Sequence, residues 1–414
     1  MGVYRIVGGR PLHGTVPIHG AKNSVLPILA ATLLAGGSCI IHNCPKIADV
    51  ETAVQILSSL GAAVERSEDT LRVNTEEASG VRIPPELMKR MRAAVIFLGP
   101  LLGRFGNAEF SLPGGCPLGE RPIDLHLRGL RHMGAQVETD GERFSCTAPV
   151  LTGGTVALPF PSVGATENLM LAAVCCRGET AICNAAREPE IVDLANFLLA
   201  CGGQISGAGT SVIRVEGGHD LHGCKFTVMP DRMEAATYLA AAAATKGDLT
   251  LRNAVAGHLT AVLDVLERAG CRLAVGPDWI RLRSDGLRAV SPIRTAPYDG
   301  FPTDAQAPMM AAMALAEGSS LFEETIFSDR FCHVSALCAM GADIRAVRRI
   351  ALVRGVPSLC GARVKAADLR GGAAITIAAL CAQGESTVLN TEHMERGYAD
   401  FVQILRSCGA EITE

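Results

Sequence analysis

Residues 112–122, LPGGCPLGERP, set one cysteine between a pair of glycines and an arginine, with prolines close on either side. A thiol that merely fills space belongs in an apolar helix or strand, and this stretch is neither. Cys116 stands on a flexible tip with Arg121 five residues on. Cationic neighbours draw a thiol below its usual pKa of ~8.5, which makes it a usable acid and nucleophile near neutral pH. Most of the fifteen cysteines lie among alanine and leucine, as in AAVCCRGETAIC, VSALCAM and AALCAQG. Those read as small hydrophobes. The count is odd and no C-x-x-C occurs, which speaks against a disulfide framework or a zinc site. His219, Asp220 and His222 in GGHDLHG faintly resemble metal ligands, but the flanking glycines make the run an exposed loop.

A second set of residues is marked by spacing. Lys22, Arg92, Gly164, Met233, Asp304 and Arg370 each lie fourteen residues before a glycine that closes an apolar, helix-length run. Arg232 directly precedes Met233, and Asp368 lies two residues before Arg370. The offset predicts that these positions occupy the first turn of a helix, where unpaired N–H groups and partial positive charge favour anions. Lysine or arginine has the wrong sign there, at a cost of about 0.3 kcal/mol or more. One such outlier is equally well a solvated cationic face. Three at one phase position imply a pocket for an anionic ligand.

The elements that must position them form an internal repeat. LSSLGAAVE at 57–65 recurs as LRHMGAQVE, LLACGGQIS, LERAGCRLA, LCAMGADIR and LRSCGAEIT. The shared glycines are Gly61, Gly134, Gly202, Gly270, Gly341 and Gly409, at intervals of 73, 68, 68, 71 and 68 residues. An earlier helix in each copy ends at Gly36, Gly106, Gly178, Gly247, Gly318 or Gly384, and a strand-like run such as SCIIHN or ESTVLN follows. Glycine in this place is the usual left-handed helix cap. The unit is thus helix, glycine, strand, loop, helix, glycine, strand, six times over. Helices with one buried stripe alternating with strands predict an α/β protein of packed layers. The first-to-second glycine distance is 28 residues in the copy that holds Cys116 and 23–25 in the others. The surplus is a loop insertion, and long loops on rigid scaffolds often carry function.

Composition narrows the class. The formal net charge is −4 and aromatics are 4% of the 414 residues, so nothing favours nucleic acid. The longest apolar stretches fall short of the ~18 residues that span a bilayer, and MGVYRIVGGRPLHG has no signal-peptide core. The expectation is a cytoplasmic protein that binds neither membrane nor nucleic acid.

GAKN at 20–23, LPGGC with RPIDLH at 112–126, SVGATEN at 162–168 and NAAREPEIVD at 184–193 carry a family resemblance. FPTDAQA at 301–307, ETIFSDRF at 324–331, AADLR at 366–370 and ERGY at 395–398 extend it to the chain's end. The chain resembles the UDP-N-acetylglucosamine 1-carboxyvinyltransferases, enolpyruvyl transferases of peptidoglycan synthesis. The resemblance implies two similar domains of three units each, an inside-out α/β barrel with helices inside a surround of sheet. It places them at 22–229 and at 1–21 with 230–414, ligands binding between them. It implies transfer of the enolpyruvyl group of phosphoenolpyruvate to the 3′-hydroxyl of UDP-N-acetylglucosamine, without cofactor or metal. Cys116 would donate the proton to C-3 and can add covalently to the substrate; Asp304 would accept the hydroxyl proton. Lys22, Arg121 and Arg396 would face the phosphate, and Arg330 and Arg370 the carboxylate, with Asn23 and Asp368 completing that shell. The nucleotide sugar would meet Arg92, Arg121, Pro122, Ile123, Asp124, Leu125, Ser162, Val163, Gly164, Asp304 and Ile326. Phe160 and Pro161 stand where members usually have a polar or basic residue, and Pro117 and Glu120 are unusual beside Cys116 and Arg121. Two alternatives stay open: a shikimate enolpyruvyl transferase, which would lack the thiol loop, and a non-catalytic sensor of the nucleotide sugar.

Overall fold

Each glycine-marked repeat folds to one plan, visible in a computed structural model that describes residues 2–114 and 123–414. In the sixth repeat, strand Arg363–Lys365 leads to helix Leu369–Cys381, which returns in strand Glu385–Leu389, parallel to the first. Helix Phe401–Ser407 and strand Glu411–Thr413 follow. Val3–Val7, from the start of the chain, completes the sheet antiparallel to both later strands. The plan gives five four-stranded sheets and one three-stranded sheet among the described residues. In the three-stranded sheet an isolated parallel bridge from Arg82 to Glu109 takes the first strand's place.

The chain forms two compact units, one of residues 2–19 and 230–414, the other of residues 20–114 and 123–229. In the former, His13–Pro17 pairs in parallel with Asp248–Arg252. In the latter, Lys225–Thr227 pairs in parallel with Ser38–His42. Each unit therefore draws one opening strand from a segment distant in sequence.

The first helix of each repeat is not half-buried, as a single apolar stripe would require. All thirteen residues of Arg232–Ala244 are buried, and so are Arg370–Leu380 within Leu369–Cys381. These two pack on each other and on Thr303–Met313, with sheets outside them. Small side chains let helix axes approach closely, which accounts for RMEAATYLAAAAA in so central a place. The second helices, such as Ala48–Ser59, keep one buried face and one exposed face.

The phase positions all fall in a first turn. Lys22 opens Lys22–Ala31, and Arg92 opens a 3-10 turn, Arg92–Phe97, that runs into helix Leu98–Phe105. Gly164, Met233, Asp304 and Arg370 are second in Val163–Ala173, Arg232–Ala244, Thr303–Met313 and Leu369–Cys381. Pro27 and Pro308 share the sixth position of their helices. Each removes the helical donor to the carbonyl four residues earlier, on Asn23 and Asp304.

Eleven of the twelve repeat glycines have positive φ; the exception is Gly247, where Lys246 takes the left-handed position at φ 55°. Gly247 is needed for a different reason: a Cβ there would collide with the Leu12 carbonyl oxygen. Gly247→Ala is therefore expected to cost about 1–3 kcal/mol through overpacking against backbone, while Lys246→Gly costs nothing or stabilises. Urea unfolding of both variants checks this; the opposite order would return the cap to residue 247.

Candidate active site

In the unit of residues 2–19 and 230–414, one carboxylate faces two guanidiniums. Asp304 Oδ1 accepts from Arg330 Nη2 at 2.9 Å, and Oδ2 accepts from Arg370 Nη2 at 3.2 Å and Nε at 3.3 Å. Both arginines are 3% exposed, and the Asp304 side chain is 29% exposed. The fold anchors each cation a second time. Arg330 donates through Nε and Nη2 to the Thr303 carbonyl, and Arg370 donates through Nη1 to the Tyr398 hydroxyl at 2.9 Å. Tyr398 in turn bonds Thr237, 2.8 Å away, and its ring lies beneath the Arg370 guanidinium. Burial opposes charge on Arg370, but Tyr398 and Asp304 outweigh it and raise its pKa.

Asp368 is the N-cap of the helix that carries Arg370: Oδ1 accepts from Arg370 N at 2.9 Å and Gly371 N at 3.0 Å. Burial works against its ionisation, yet the Arg330 charge, the Cys332 thiol and the Gly371 N–H hold its pKa below the usual value. Cys332 donates to Asp368 Oδ2 at 2.8 Å, and burial with that carboxylate pushes the thiol up to about 12. It stays protonated. Glu324, 1% exposed, accepts from the Thr303 hydroxyl and from the backbone N–H groups of Ile326 and Phe327, which sets the turn that presents Ile326. Arg396 ends the 3-10 segment Thr391–Arg396 and is half-buried.

In the other unit, Lys22 Nζ lies 2.8 Å from Asp49 Oδ2, and both are buried. Asn23, next on the helix, is exposed. The helix is held from below by Asp193, which accepts from Ser24 Oγ and from Met229 N. Burial raises the Asp193 pKa, partly offset by those donors.

A buried histidine organises a second cluster there. Asn168 places Oδ1 on Gly99 N at 2.7 Å and Nδ2 on the Val95 carbonyl and on His126 Nδ1. An amide N–H can only donate, so Nδ1 accepts and the ring proton sits on Nε2. Burial, and then the charge of Arg92, depress the His126 pKa to about 4, with Asp124 acting the other way. The His126 ring, on which Arg92 and Asp124 both act, stands against Gly164, where a Cβ would lie 3.1 Å from Cε1. Ser162 caps the Gly164 helix through Ala165 N, and Val163 opens it. Ile123 is buried and precedes helix Asp124–His132, on which Leu125 is half-buried. Cys116, Arg121 and Pro122 lie outside the described residues, as do Pro117 and Glu120.

Residues 6–405 match the family model described as EPSP synthase (3-phosphoshikimate 1-carboxyvinyltransferase). The chain is 46% identical to UDP-N-acetylglucosamine 1-carboxyvinyltransferase 2 of Caldanaerobacter subterraneus, covering 100% of this chain and 99% of that one. It is 49% identical to UDP-N-acetylglucosamine 1-carboxyvinyltransferase 2 of Carboxydothermus hydrogenoformans, with 98% of each covered. The chain belongs to the enolpyruvyl transferase family. Among solved members of that fold, the enolpyruvyl transferase NikO of Streptomyces tendae superposes with a TM-score of 0.91 at 26% identity, over 99% of this chain and 98% of that one. EPSP synthase of Acinetobacter baumannii reaches 0.77 at 20% identity over both full chains, which speaks to the fold alone.

In this enolpyruvyl transferase the motifs mark the charged groups but not several buried partners that the fold supplies: Asp49 beside Lys22, Glu324 behind the turn that presents Ile326, and the His126–Asn168 pair. Glu324, His126 and Asn168 lie inside quoted motifs, ETIFSDRF, RPIDLH and SVGATEN, so the motifs held the signal without revealing the contacts. Asp49 lies in an ordinary-looking helix start, and only the fold brings it to Lys22.

His126 is neutral when folded, with its pKa drawn down to about 4 from the ordinary histidine value of about 6.5. Protons bind the unfolded chain first, so the stability this neutral ring provides is present above about pH 6.5 and lost as pH falls toward 4. The loss approaches about 3 kcal/mol for this one group. His126→Gln should flatten that part of the stability profile, measured by denaturant unfolding at several pH values. An unchanged slope would show that the ring is not kept neutral by burial.

Proposed function

We infer that this protein transfers the enolpyruvyl group of phosphoenolpyruvate to the 3′-hydroxyl of UDP-N-acetylglucosamine, with release of phosphate, the first committed step of peptidoglycan synthesis. The reading includes a cytoplasmic location and small molecules as its partners. The observation that carries it is the Asp304 cluster: two buried guanidiniums on one partly exposed carboxylate at a helix N-terminus. Both Asp304 oxygens are engaged by the guanidiniums. An incoming substrate carboxylate can take over the planar forks of Arg330 and Arg370, which frees Asp304 to accept a proton when the substrate is in place. The sugar hydroxyl then adds to C-2 of phosphoenolpyruvate as Cys116 delivers a proton to C-3. Loss of a C-3 proton and expulsion of phosphate regenerate the enol ether. Lys22, Arg121 and Arg396 are assigned to the phosphate, where cations stabilise charge that develops as it leaves. Asn23 and Asp368 complete the phosphoenolpyruvate shell. The nucleotide sugar is assigned to Arg92, Arg121, Pro122, Ile123, Asp124, Leu125, Ser162, Val163, Gly164, Asp304 and Ile326. The two domains of the reading are 22–229 and 1–21 with 230–414.

The description of the matching family model favours one other acceptor, shikimate 3-phosphate. Phosphate release that requires UDP-N-acetylglucosamine and phosphoenolpyruvate together supports the present reading; release with shikimate 3-phosphate instead would replace it. Asp304→Asn is expected to lower turnover by roughly 10²–10⁴-fold while nucleotide-sugar binding persists. Activity within a few-fold of the parent would remove Asp304 from the base role.

The anionic epoxide fosfomycin should alkylate Cys116, and Cys116→Ser should lose most activity. Burial pushes Cys44, Cys175 and Cys381 up to about 12, so they remain unreactive thiols. Cys338 and Cys360 are exposed and serve as internal controls. Peptide mapping by mass spectrometry reads the outcome; equal labelling of those two would mean that no anion site steers the reagent.

A further inference from the structure

Three cysteines that sequence spacing scatters over 186 positions, Cys39, Cys201 and Cys224, converge in the unit of residues 20–114 and 123–229. Their sulfurs all lie within 4.8 Å of one another, and Cys201 Sγ is 3.5 Å from Cys224 Sγ. Cys39 and Cys201 are buried and Cys224 is half-buried.

The backbone is built to bring them together. Lys225 pairs with Ile40 in the parallel ladder, and Ile40 N donates to the Cys224 carbonyl at 2.8 Å, so Cys224 lies beside Cys39 on the neighbouring strand. Gly223 permits this approach: a Cβ there would collide with the Ser38 carbonyl oxygen. Cys201 is the C-cap residue of helix Pro189–Ala200, where Gly202 turns the chain at φ 98°. His222 belongs to the same knot. Its N–H donates to the Cys201 carbonyl at 2.9 Å, and its ring lies against Gly202, where a Cβ would stand 3.3 Å from Nε2. Nδ1 sits 3.2 Å from the Gly223 carbonyl, which leaves Nε2 as the ring nitrogen for another partner.

Four-coordinate zinc with thiolates at ~2.3 Å holds its sulfurs about 3.8 Å apart. The observed spacing brackets that value. It is far from the ~2.05 Å of a disulfide. We propose that Cys39, Cys201 and Cys224, which alone among the described residues converge within 4.8 Å as possible metal ligands, form a three-thiolate site for zinc, and that the exposed His222 ring turns toward them to supply Nε2 as the fourth ligand. Binding replaces three S–H protons by the metal and releases them to solvent. The site clamps the end of helix Pro189–Ala200 to its sheet. That helix carries Asp193, which holds Ser24 beside Lys22. The role is structural, since no position is left for a reacting ligand.

The test uses the full chain, reduced and stripped with chelator. Zinc titrated against a chromophoric chelator is expected to bind at about one ion per chain. Cobalt(II) at the same site should show thiolate-to-metal charge-transfer absorption, and zinc should raise the thermal midpoint. Cys224→Ser, at the half-buried position, should weaken zinc by at least about tenfold, and His222→Ala should weaken it less while the cobalt–thiolate bands persist. Cys201→Ala is the second variant should Cys224→Ser fail to fold by circular dichroism. Cys116→Ser should leave stoichiometry unchanged. Absent thiolate–cobalt absorption, equal affinity in the Cys224 or Cys201 variant, or loss of binding in Cys116→Ser would each overturn the site; equal affinity in His222→Ala would remove His222 from it.

Discussion

A guanidinium withdrawn from water must find counter-charge and donors' partners nearby, and Arg330 and Arg370 find both around Asp304. Taking an ion out of water costs several kcal/mol even after relaxation, so such a group persists only where its geometry is held from more than one side. The Thr303 carbonyl holds Arg330, and Tyr398 holds Arg370. The Asp368 cap fixes the helix start on which Arg370 stands. Asp304 is thus a partly exposed partner to two occluded cations, one of which, Arg330, also acts on Asp368. An anion that takes the place of the Asp304 carboxylate keeps both guanidiniums paired, and that is the chemical basis of the functional reading. Lys22 with Asp49 follows the same rule in the other unit, where a buried ammonium has one buried carboxylate.

Those charges are possible because the helices beneath them are buried on all faces. A helix wrapped by others and by sheet has no solvated flank, and its N-terminal turn becomes the place for polar groups. Alanine, glycine and methionine dominate Thr303–Met313 and Leu369–Cys381, since wider residues would keep three helix axes apart. The low aromatic content that excluded a base-stacking surface thus has a structural cause as well. Asp193 and Asn168 do the remaining positioning by bonding to backbone from a distance in sequence, Asp193 to Met229 and Asn168 to Gly99 and Val95.

Much of this was legible in the residues. The repeat glycines marked helix ends, and a fixed offset from them reached the first turn of all six central helices, because helix length is constrained by the layer it fills. The burial of those helices was less legible. An alanine-rich run has no strong apolar stripe to read, and the same letters suit an exposed helix. Lys246 in the place of a glycine cap was hidden for a similar reason: Gly247 satisfies the repeat pattern but is demanded by contact with Leu12. Pairings such as Lys22 with Asp49 depend on crossovers between distant segments, which spacing along the chain does not encode. The three thiols escaped because each, taken singly, is a small hydrophobe in an apolar run.

The six phase positions show how one backbone location serves different ends. Where a side chain projects from the first turn, it either carries charge, as Lys22 and Arg370 do, or accepts it, as Asp304 does. At Gly164 a side chain would press on the His126 ring, which stands 3.1 Å from where a Cβ would lie. The ring is kept neutral there by burial and by Arg92, and so adds bulk and one fixed proton rather than charge. Met233 yields its role to Arg232 one residue earlier, which lies over the Tyr298 ring, while Asp231 caps the turn through Met233 N and Glu234 N. Repetition therefore supplies six equivalent helix starts, and local neighbours decide the sign of each. A copy with a cation at all six would concentrate unpaired positive charge on buried turns that already carry the positive end of the helix dipole. Alternating cations, an acid and a glycine keeps the buried charge low enough to fold while leaving the arginine pair beside Asp304 available to an anion.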